Sequence, residues 1–372
     1  MTLGLVGIFI ISLVICLGLT PLARLIGVRL GVMDMPGELS IHSSPTPRTG
    51  GLAMFVAFAV SIFLARPLFA HALDAQETVK LFAVMGGAAL ICGVGLLGDM
   101  GKVPSRVEYA LQFLPAALVS TFGIQVRFIP VAIVAVPLTL FYLVGGACAV
   151  NLLDGMDGLA AGVTVIAALF FGLAGLMLGN QLVVVLSVAL MGSALGFLYH
   201  NFCPARIFMG DVGSLFLGFV LATMAILLTS QPYDFKGLVV PVLILGVPVF
   251  DTFLAITRRL ANHRRIISGD RDHLYDLLNA AGLSMRKTIV IMYGLALILG
   301  ATALLTLRLT TWMTLLIVGL EGLVLLALAF RLGSFIPKAS HRGRGFGEAL
   351  FTSPLPARSL ACQSPPTKGT DD

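Results

Sequence analysis

The sequence predicts an all-α, polytopic integral membrane protein with about eleven transmembrane helices. Of its 372 residues, 58% are hydrophobic and 11% are charged, and the mean hydropathy is +1.00. Soluble domains carry about a quarter charged residues, so this composition excludes an ordinary soluble enzyme. Apolar runs also recur along the chain at close to the ~20 residues that a helix needs to cross the hydrocarbon of a bilayer.

The apolar runs predict the positions of the spans. They lie near residues 3–23, 50–66, 79–98, 107–121, 128–150, 159–179, 181–199, 213–230, 238–256, 286–308 and 310–332. The first run lacks a preceding basic stretch and a small-residue cleavage site, so we expect a retained helix and not a signal peptide. Residues 1–335 thus form a transmembrane domain, and residues 336–372, rich in Ser, Pro, Gly and basic residues, are expected to be a disordered cytoplasmic tail.

The basic residues predict the orientation. If the N-terminus lies outside, the outer loops contain five of the 24 Lys and Arg residues and the inner loops contain the other 19. Because inner loops of membrane proteins are enriched in Lys and Arg, we expect an outer N-terminus and a cytoplasmic C-terminus. Topology thus explains most of the net charge of +6, and we expect no nucleic-acid partner. A few of the inner basic residues remain available for phosphates.

The segment Asn151-Leu-Leu-Asp154-Gly-Met-Asp157-Gly158 places two carboxylates three residues apart between long apolar runs. Two like charges near a bilayer must be offset by a cation, a proton or a cationic side chain. A metal site is therefore the first interpretation. The alternative is that the two acids only cap the helix that starts near Leu159.

A second segment runs from Asn201 to Ser214 and contains Gly210-Asp211-Val-Gly213 just before an apolar run. Glycines beside an acid let a ligand approach the backbone closely. The helix that follows is expected to offer free N–H groups and the positive end of its dipole to a phosphate. Asp211 is thus a candidate metal ligand beside a candidate phosphate site.

The first inner loop, from Asp34 to Gly51, contains three prolines and a Gly pair, which exclude a continuous helix. We expect the backbone N–H groups at Gly50 and Gly51 to be free to hold an anion. His42 and Arg48 could present charge to it. The alternative is a connecting turn at the membrane surface.

Two further inner segments carry candidate residues. Asp99 closes a run of nearly twenty uncharged residues and is followed by Lys102, with which it could simply form an ion pair. The last inner loop contains Asp270-Arg271-Asp272-His273. Arg271 and His273 could bind an anion or a sugar, or the segment could be a solvated amphipathic stretch.

The predicted topology sorts the acids onto one side of the membrane. Nearly all the aspartates fall at inner helix ends or inner loops, while the outer face shows only Asp74, Glu77 and Asp234. Such a face suits Mg²⁺ bound to a diphosphate, because Mg²⁺ is usually held by one or two carboxylates plus substrate phosphates. Proton-coupled transport would instead predict acids at mid-membrane, broken helices and internal repeats. Glu321 alone lies at mid-membrane, where we expect an internal pair or a contact between protomers.

These motifs resemble the polyprenyl-phosphate N-acetylhexosamine-1-phosphate transferases of glycosyltransferase family 4, whose relatives include the phospho-MurNAc-pentapeptide translocase of peptidoglycan synthesis. The resemblance covers about residues 30–280, and its most specific parts are residues 151–159 and 201–214. The loop over residues 34–51 is similar to the family's first cytoplasmic loop. The Asp270-Arg271-x-His273 pattern is similar to its last loop, which is associated with the sugar nucleotide.

The resemblance implies transfer of N-acetylhexosamine-1-phosphate from a UDP-sugar to undecaprenyl phosphate, with release of UMP. The reaction would be the first membrane step of a cell-envelope polysaccharide such as a lipopolysaccharide O-antigen, on the inner face of the bacterial cytoplasmic membrane. The implied partners are the UDP-N-acetylhexosamine, undecaprenyl phosphate, membrane lipid and a second copy of the chain in a homodimer.

The resemblance also implies the roles of single residues. Asp211 is expected to be the principal ligand of Mg²⁺, or of Mn²⁺ in its place, with Asp154 as a second ligand. Asp157 would hold the metal or the nucleotide, and Asp99 would deprotonate or orient the lipid phosphate. The residues expected to bind substrate are His42, Arg48, Asn151, Asn201, Asp270, Arg271 and His273.

The chain departs from the family pattern in several of these motifs. The family has two adjacent acids where this chain has Gly98-Asp99, and an asparagine where this chain has Cys148. It also has a basic residue where the first loop here has Leu39, and histidines where the last loop has Tyr275 and Asp276. Two alternative functions follow. One is the peptidoglycan translocase itself, and the other is a transporter or non-catalytic lipid-binding protein of the same fold.

Overall fold

The computed structural model is a bundle of α-helices, and it describes residues 2–35, 44–69, 72–127, 129, 131–229, 235–261 and 273–332. The helices of the first half are α1 Thr2–Leu30, α2 Gly50–Phe69, α3 Ala75–Asp99, α4 Ser105–Leu111, α5 Phe113–Thr121, α6 Ala132–Leu153 and α7 Leu159–Leu178. Those of the second half are α8 Gln181–Asn201, α9 Gly210–Leu228, α10 Phe235–Ile244, α11 Gly246–Ala261, α12 Leu274–Ala280, α13 Met285–Thr306 and α14 Thr311–Arg331.

The polytopic membrane architecture is confirmed. Within the described ranges, nine helices are long and apolar enough to cross a membrane, and the bent pair α10–α11 makes a tenth. The predicted site residues His42, Asp270 and Arg271 and the predicted tail 336–372 lie outside the described residues.

The predicted single helix over residues 107–121 is wrong in detail, because two short helices, α4 and α5, meet at Gln112. Pro115 lies four residues after Leu111, the last residue of α4. Proline has no N–H, and its ring conflicts with the carbonyl of the residue four positions earlier. The continuous helical pattern therefore breaks here.

The span predicted over residues 238–256 is also divided, with α10 and α11 bent by 81°. Pro248 stands four residues after Ile244, where α10 ends, so the same steric conflict explains the break. Beyond this bend, the last turn of α11 carries Arg258 and Arg259, which are both buried.

The helices run alternately between two ends of the bundle. A cavity at one end is lined by the beginnings of α3 and α8, the ends of α7 and α9, and the residues that follow α5. The end of α3 and the beginning of α4 lie at the opposite end, so the broken pair α4–α5 still connects the two ends. The candidate site residues of the sequence lie at that opposite end.

Helix α9 forms the centre of the bundle, packed against α6, α3 and α2. Every residue of α9 except Asp211 is buried. A helix that is apolar on all sides is expected to be enclosed by other helices. Phe216 meets Phe58 of α2 edge-on, with ring centroids 5.4 Å apart.

Two short strands follow α1. Strand β1, Met33–Asp34, pairs antiparallel with β2, Thr46–Pro47. The amide of Phe208 donates to the carbonyl of Pro47 at 2.8 Å. The pair of strands therefore lies against the segment that leads into α9.

Glu321 of α14 forms an internal pair, which was one of the two expectations for this residue. Its Oε1 accepts a hydrogen bond of 2.6 Å from Thr302 of α13.

Candidate active site

Three helix ends converge at one end of the bundle and bring together acids that are far apart in sequence. Asp99 ends α3, Asp154 follows α6, and Asp211 lies in the first turn of α9. All three side chains are half-buried. The convergence that the topology predicted is therefore present for these acids.

The carboxylate of Asp99 caps the N-terminus of α9. Its Oδ1 accepts the amide of Asp211 at 3.0 Å, and its Oδ2 accepts the amide of Val212 at 3.1 Å. An acid here also complements the positive end of the helix dipole. The expectation that these N–H groups are free for a phosphate is therefore wrong, because a side chain of α3 already occupies them.

Gly210 makes this close approach possible. Its φ of +67° lies in the left-handed region, and an added Cβ would lie 2.3 Å from the Arg48 carbonyl oxygen and 2.4 Å from Asp99 Oδ2. Only glycine adopts this conformation readily without a clash. The sequence identified the glycine, but its role is to admit a protein carboxylate and not a ligand.

The N–H groups of Gly50 and Gly51 are also occupied, contrary to expectation. They donate to the carbonyls of Phe208 and Met209 at 3.0 and 2.9 Å. These bonds join the start of α2 to the segment that precedes α9, so they fix the backbone and do not form an anion site.

Asn151 orients the carboxylate of Asp211. Its Nδ2 donates to Asp211 Oδ1 at 2.7 Å and to Ser214 Oγ at 2.8 Å. The Ser214 hydroxyl in turn donates to the Gly210 carbonyl at 3.0 Å. Asp211 is thereby held in one orientation from two helices, as a metal-ligating carboxylate usually is.

Asp154 lies in a strongly negative environment. Burial raises the pKa of its carboxyl well above the usual range, and the charges of Asp211 and Asp99 raise it further, while Arg48 opposes them. The Arg48 guanidinium is itself held by Asp34, with Nη2 2.7 Å from Oδ1. Arg48 thus adds one positive charge beside a group of acids whose combined negative charge is larger.

Asp157 and Asn201 connect neighbouring loops. Asp157 Oδ2 accepts the amide of Ala205 at 2.8 Å. Asn201 Oδ1 accepts the amide of Gly158 at 2.9 Å, and its Nδ2 donates to the Ile207 carbonyl at 3.0 Å. Asn201 is buried, so its amide holds two loops together, and its predicted contact with substrate stays a prediction.

His273 begins α12 and is anchored by Asp251 of α11. Its Nδ1 lies 2.7 Å from Asp251 Oδ2, and the Leu274 amide donates to Asp251 Oδ1 at 2.6 Å. Burial lowers the pKa of His273, but the hydrogen bond and charge of Asp251, with the charge of Asp276, outweigh burial and raise it. Asp251 therefore favours the protonated form of this imidazole at the edge of the site.

Tyr275 joins the last loop to the acidic segment. Its ring stacks on His273 with centroids 5.5 Å apart. Its hydroxyl packs against Gly155, where an added Cβ would lie 1.9 Å away. Tyr275 and the Asp154–Asp157 loop are therefore in direct contact.

Three residues near the site were not among the sequence candidates. Two of them act on His273: Asp251 is hydrogen-bonded to its imidazole, and the charge of Arg259 also acts on it. Glu108 of α4 lies within electrostatic reach of Asp211 and Asp99. In the sequence, the signal for Glu108 was an acid near the start of the predicted span over residues 107–121.

The described residues include no group of three or more His, Cys, Asp or Glu side chains arranged to enclose a metal ion. Mg²⁺ seldom requires such a cage, because it usually keeps several waters and takes one or two carboxylates plus phosphates. Asp211, which Asn151 orients, and Asp154, which the neighbouring acids repel, fit that requirement. The excess of negative charge around them is what a divalent cation would offset.

Comparison with known proteins agrees with the motif resemblance. Residues 81–229 match the profile described as "Glycosyl transferase family 4". Over 319 residues the chain is 35% identical to the "Probable undecaprenyl-phosphate N-acetylglucosaminyl 1-phosphate transferase" of Bacillus subtilis (strain 168), covering 83% of this chain and 87% of the relative.

Two further relatives extend the comparison. The "Decaprenyl-phosphate N-acetylglucosaminephosphotransferase" of Mycobacterium tuberculosis (strain CDC 1551 / Oshkosh) is 36% identical over 300 residues, covering 73% of this chain and 74% of the relative. The "Phospho-N-acetylmuramoyl-pentapeptide-transferase" of Bacillus velezensis is 32% identical over 272 residues, covering 67% and 79%. With a relative at this identity over most of both lengths, the chain belongs to glycosyl transferase family 4.

Proposed function

We propose that this protein transfers N-acetylhexosamine-1-phosphate from a UDP-sugar to undecaprenyl phosphate and releases UMP. The observation that carries the proposal is the convergence of Asp99, Asp154 and Asp211 at one end of an apolar bundle, beside Arg48. The relatives' names support it, since two of them denote transferases that act on a polyprenyl phosphate.

The reaction joins the two substrates at the donor's β-phosphorus. An oxygen of the lipid phosphate forms a new P–O bond there, the bond to the bridging oxygen breaks, and UMP leaves with that oxygen. Such phosphoryl transfer depends mainly on positioning and on neutralising charge.

Asp211 and Asp154 would hold Mg²⁺, or Mn²⁺ in its place. The ion would supply charge neutralisation of the donor's diphosphate. Asn151 and Ser214 keep the Asp211 carboxylate in place for this task. Asp157 supports the same loop through the Ala205 amide.

Asp99 would orient the lipid phosphate or take its proton. Each carboxylate oxygen has more than one lone-pair site, so the two bonds to the α9 backbone leave Asp99 able to accept another hydrogen bond. An aspartate within reach is an adequate base for a phosphate proton. His273, with Arg48 and the predicted Arg271, would meet the phosphates or the sugar of the donor.

The active site is proposed to face the cytoplasm, with the N-terminus outside. The excess of basic residues on the site's side supports this orientation. The setting would be the cytoplasmic membrane of a bacterium, where the lipid substrate reaches the site from the bilayer. We also propose a homodimer as the working assembly.

A hexosamine donor is favoured over the muramoyl-pentapeptide donor. The chain is 35% identical over 83% of its length to a relative named for N-acetylglucosamine. The similarity to the muramoyl-pentapeptide enzyme covers 67% of its length at 32% identity.

The test is UMP release from purified, detergent-solubilised protein given undecaprenyl phosphate, Mg²⁺ and a panel of UDP-N-acetylhexosamines, with EDTA as the control. We expect release that depends on both lipid and metal, with one donor preferred. A folded sample that releases no UMP with any donor would contradict the proposed function and favour the non-catalytic alternative.

A further inference from the structure

The loop of residues 154–158, which we call the acid loop, connects α6 to α7 and carries Asp154 and Asp157. It belongs to no helix or strand. A segment outside helices and strands must find partners for many of its backbone groups elsewhere. The position of the two acids therefore depends on the elements that surround this loop.

Gly158, the last residue of the acid loop, is held from two helices. Its amide donates to Asn201 Oδ1 of α8 at 2.9 Å. Its carbonyl accepts the hydroxyl of Tyr293 of α13 at 2.7 Å, and it also accepts the Gly162 amide within α7 at 2.9 Å. A carbonyl oxygen has two lone pairs, so it can accept both bonds. The end of the acid loop is thus fixed by α8 and α13 together.

Gly162 leaves room for this contact. A Cβ added at Gly162 would lie 1.9 Å from the hydroxyl oxygen of Tyr293 and 2.1 Å from its Cζ. Real Cβ atoms essentially never come so close to another heavy atom. A side chain at residue 162 would therefore displace the tyrosine from the Gly158 carbonyl.

The helix that precedes α13 contacts the other end of the acid loop. Tyr275 of α12 packs its hydroxyl against Gly155. The hydroxyl of Thr288 in α13 donates to Oδ1 of Asn279 in α12 at 2.8 Å, which joins the two helices. Helices α12 and α13 are therefore linked to each other and contact the acid loop near both of its ends.

We propose that Tyr293 is a positioning residue, which holds the Gly158 carbonyl and thereby keeps Asp154 and Asp157 in the geometry that the reaction requires. This inference rests on the proposed function for its catalytic meaning. Functional side chains must be held within about 0.5 Å of their productive positions by the residues around them. Tyr293 acts through the backbone of the acid loop and not on the substrates.

The test breaks the bond to the Gly158 carbonyl in two independent ways. Tyr293→Phe keeps the ring and removes only the donor, whereas Gly162→Ala displaces the ring. The first control is Tyr142→Phe, in α6 about 18 Å along the helix axis from Asp154. The second is Gly294→Ala in α13, where an added Cβ meets nothing within 4 Å.

The variants and the double variant Gly162→Ala with Tyr293→Phe are purified in detergent and checked for a single elution peak. Hydrogen exchange of the amides of residues 154–159 is followed by mass spectrometry, which reports the order of the acid loop whether or not the protein turns over. Thermal unfolding is measured on the same samples. The kcat and KM for UMP release are measured with the full substrates.

We expect Tyr293→Phe and Gly162→Ala to speed exchange in the acid loop by about twofold to tenfold, as loss of one ordinary hydrogen bond would. Their kcat should fall by about tenfold, while the KM for undecaprenyl phosphate stays within about twofold of wild type. The double variant should be no more impaired than the worse single variant, because both changes act through one bond. The two controls should match wild type.

Two results would overturn the inference. One is wild-type exchange of the acid loop in Tyr293→Phe. The other is faster exchange with wild-type kcat, because the bond would then stabilise the fold without positioning the acids for the reaction.

The two proposals fail separately. A wild type that releases no UMP, combined with faster loop exchange in Tyr293→Phe, would overturn the proposed function and leave Tyr293 as the residue that holds the loop. A wild type that releases UMP, with Tyr293→Phe equal to it in exchange and kcat, would overturn only the role of Tyr293.

Discussion

The Asp99 carboxylate and the Asp211 backbone amide are joined by a hydrogen bond of 3.0 Å across 112 residues of sequence. The bond ties the last residue of α3 to the first turn of α9. Asp99 therefore sets the position of Asp211 as well as facing the site itself. A substitution at Asp99 must be interpreted with both roles in mind.

Substitution of Asp99 should separate these two roles. Asp99→Ala removes the cap of α9 and should lower the free energy of unfolding by about 0.5–2 kcal/mol, as loss of an N-cap usually does. Asp99→Asn keeps a side-chain oxygen for the cap, so its thermal unfolding should stay closer to wild type, while UMP release falls because the charge is lost. Equal activity in Asp99→Asn and wild type would contradict a role for the charge.

Asp211→Asn should abolish metal-dependent turnover while leaving the protein folded. The amide oxygen can still accept the bond from Asn151, but it carries no charge for the cation. We expect a loss of roughly 100-fold or more in UMP release, on the scale seen when a major electrostatic contact is removed. The matched control is Asp74→Asn, which caps α3 at the opposite end of the bundle and should keep wild-type activity. An active Asp211→Asn protein would refute the metal assignment.

The two asparagines of the site should behave differently. Asn201→Ala removes two bonds to buried backbone groups and should lower stability by about 1–3 kcal/mol. Asn151→Ala frees the Asp211 carboxylate and should lower kcat with a smaller effect on thermal unfolding. If Asn201→Ala instead raised KM without any loss of stability, the substrate contact would be the better explanation.

Gly210→Ala should prevent correct assembly of the site. The left-handed backbone costs an alanine roughly 1–2 kcal/mol, and the added Cβ meets the Arg48 carbonyl at 2.3 Å. We expect a lower melting temperature in detergent and loss of UMP release. Gly93→Ala is the control, because an added Cβ there meets nothing within 4 Å. A Gly210→Ala protein as stable as Gly93→Ala would contradict this account.

The Asp251–His273 pair should make stability depend on pH. The pKa of His273 is raised above its ordinary value of 6.5, so its stabilisation is fully present below that value and is lost as the pH rises through the raised pKa. Asp251→Asn should therefore destabilise the protein most at about pH 6, by about 1.5–3 kcal/mol, as loss of a hydrogen bond to a charged group usually does. The difference from wild type should shrink towards about pH 9 in thermal unfolding. A difference that stays constant over this range would argue against the ion pair.

The sequence predicted the membrane architecture and the family because both depend on local patterns. Apolar runs predict membrane spans directly. The segments around Asp154 and Asp211 carry their acids and glycines at the spacing of the family's motifs. The broken helices were also predictable in principle, since Pro115 and Pro248 each stand where a continuous helix would fail.

The partners of helix ends were not predictable in the same way. The sequence indicates that the backbone N–H groups at the start of α9 need a hydrogen-bond acceptor. The acceptor is the side chain of Asp99, which belongs to another helix. A buried Asn201 is likewise indistinguishable from a substrate-binding asparagine until the loops around it are placed. Glu108 was missed because its contact with Gly98 depends on how α4 folds back against α3.

The enclosure of α9 has a consequence for how the protein responds to its surroundings. Within the described part of the chain, 94% of the spanning window of α9 is buried, against 11% for α14. Lipids of different chain length tilt or shift the helices that they touch. Such adjustment affects the helices at the perimeter of the bundle, so the depth of Asp211 in the membrane is set by its protein neighbours and not by the surrounding lipid.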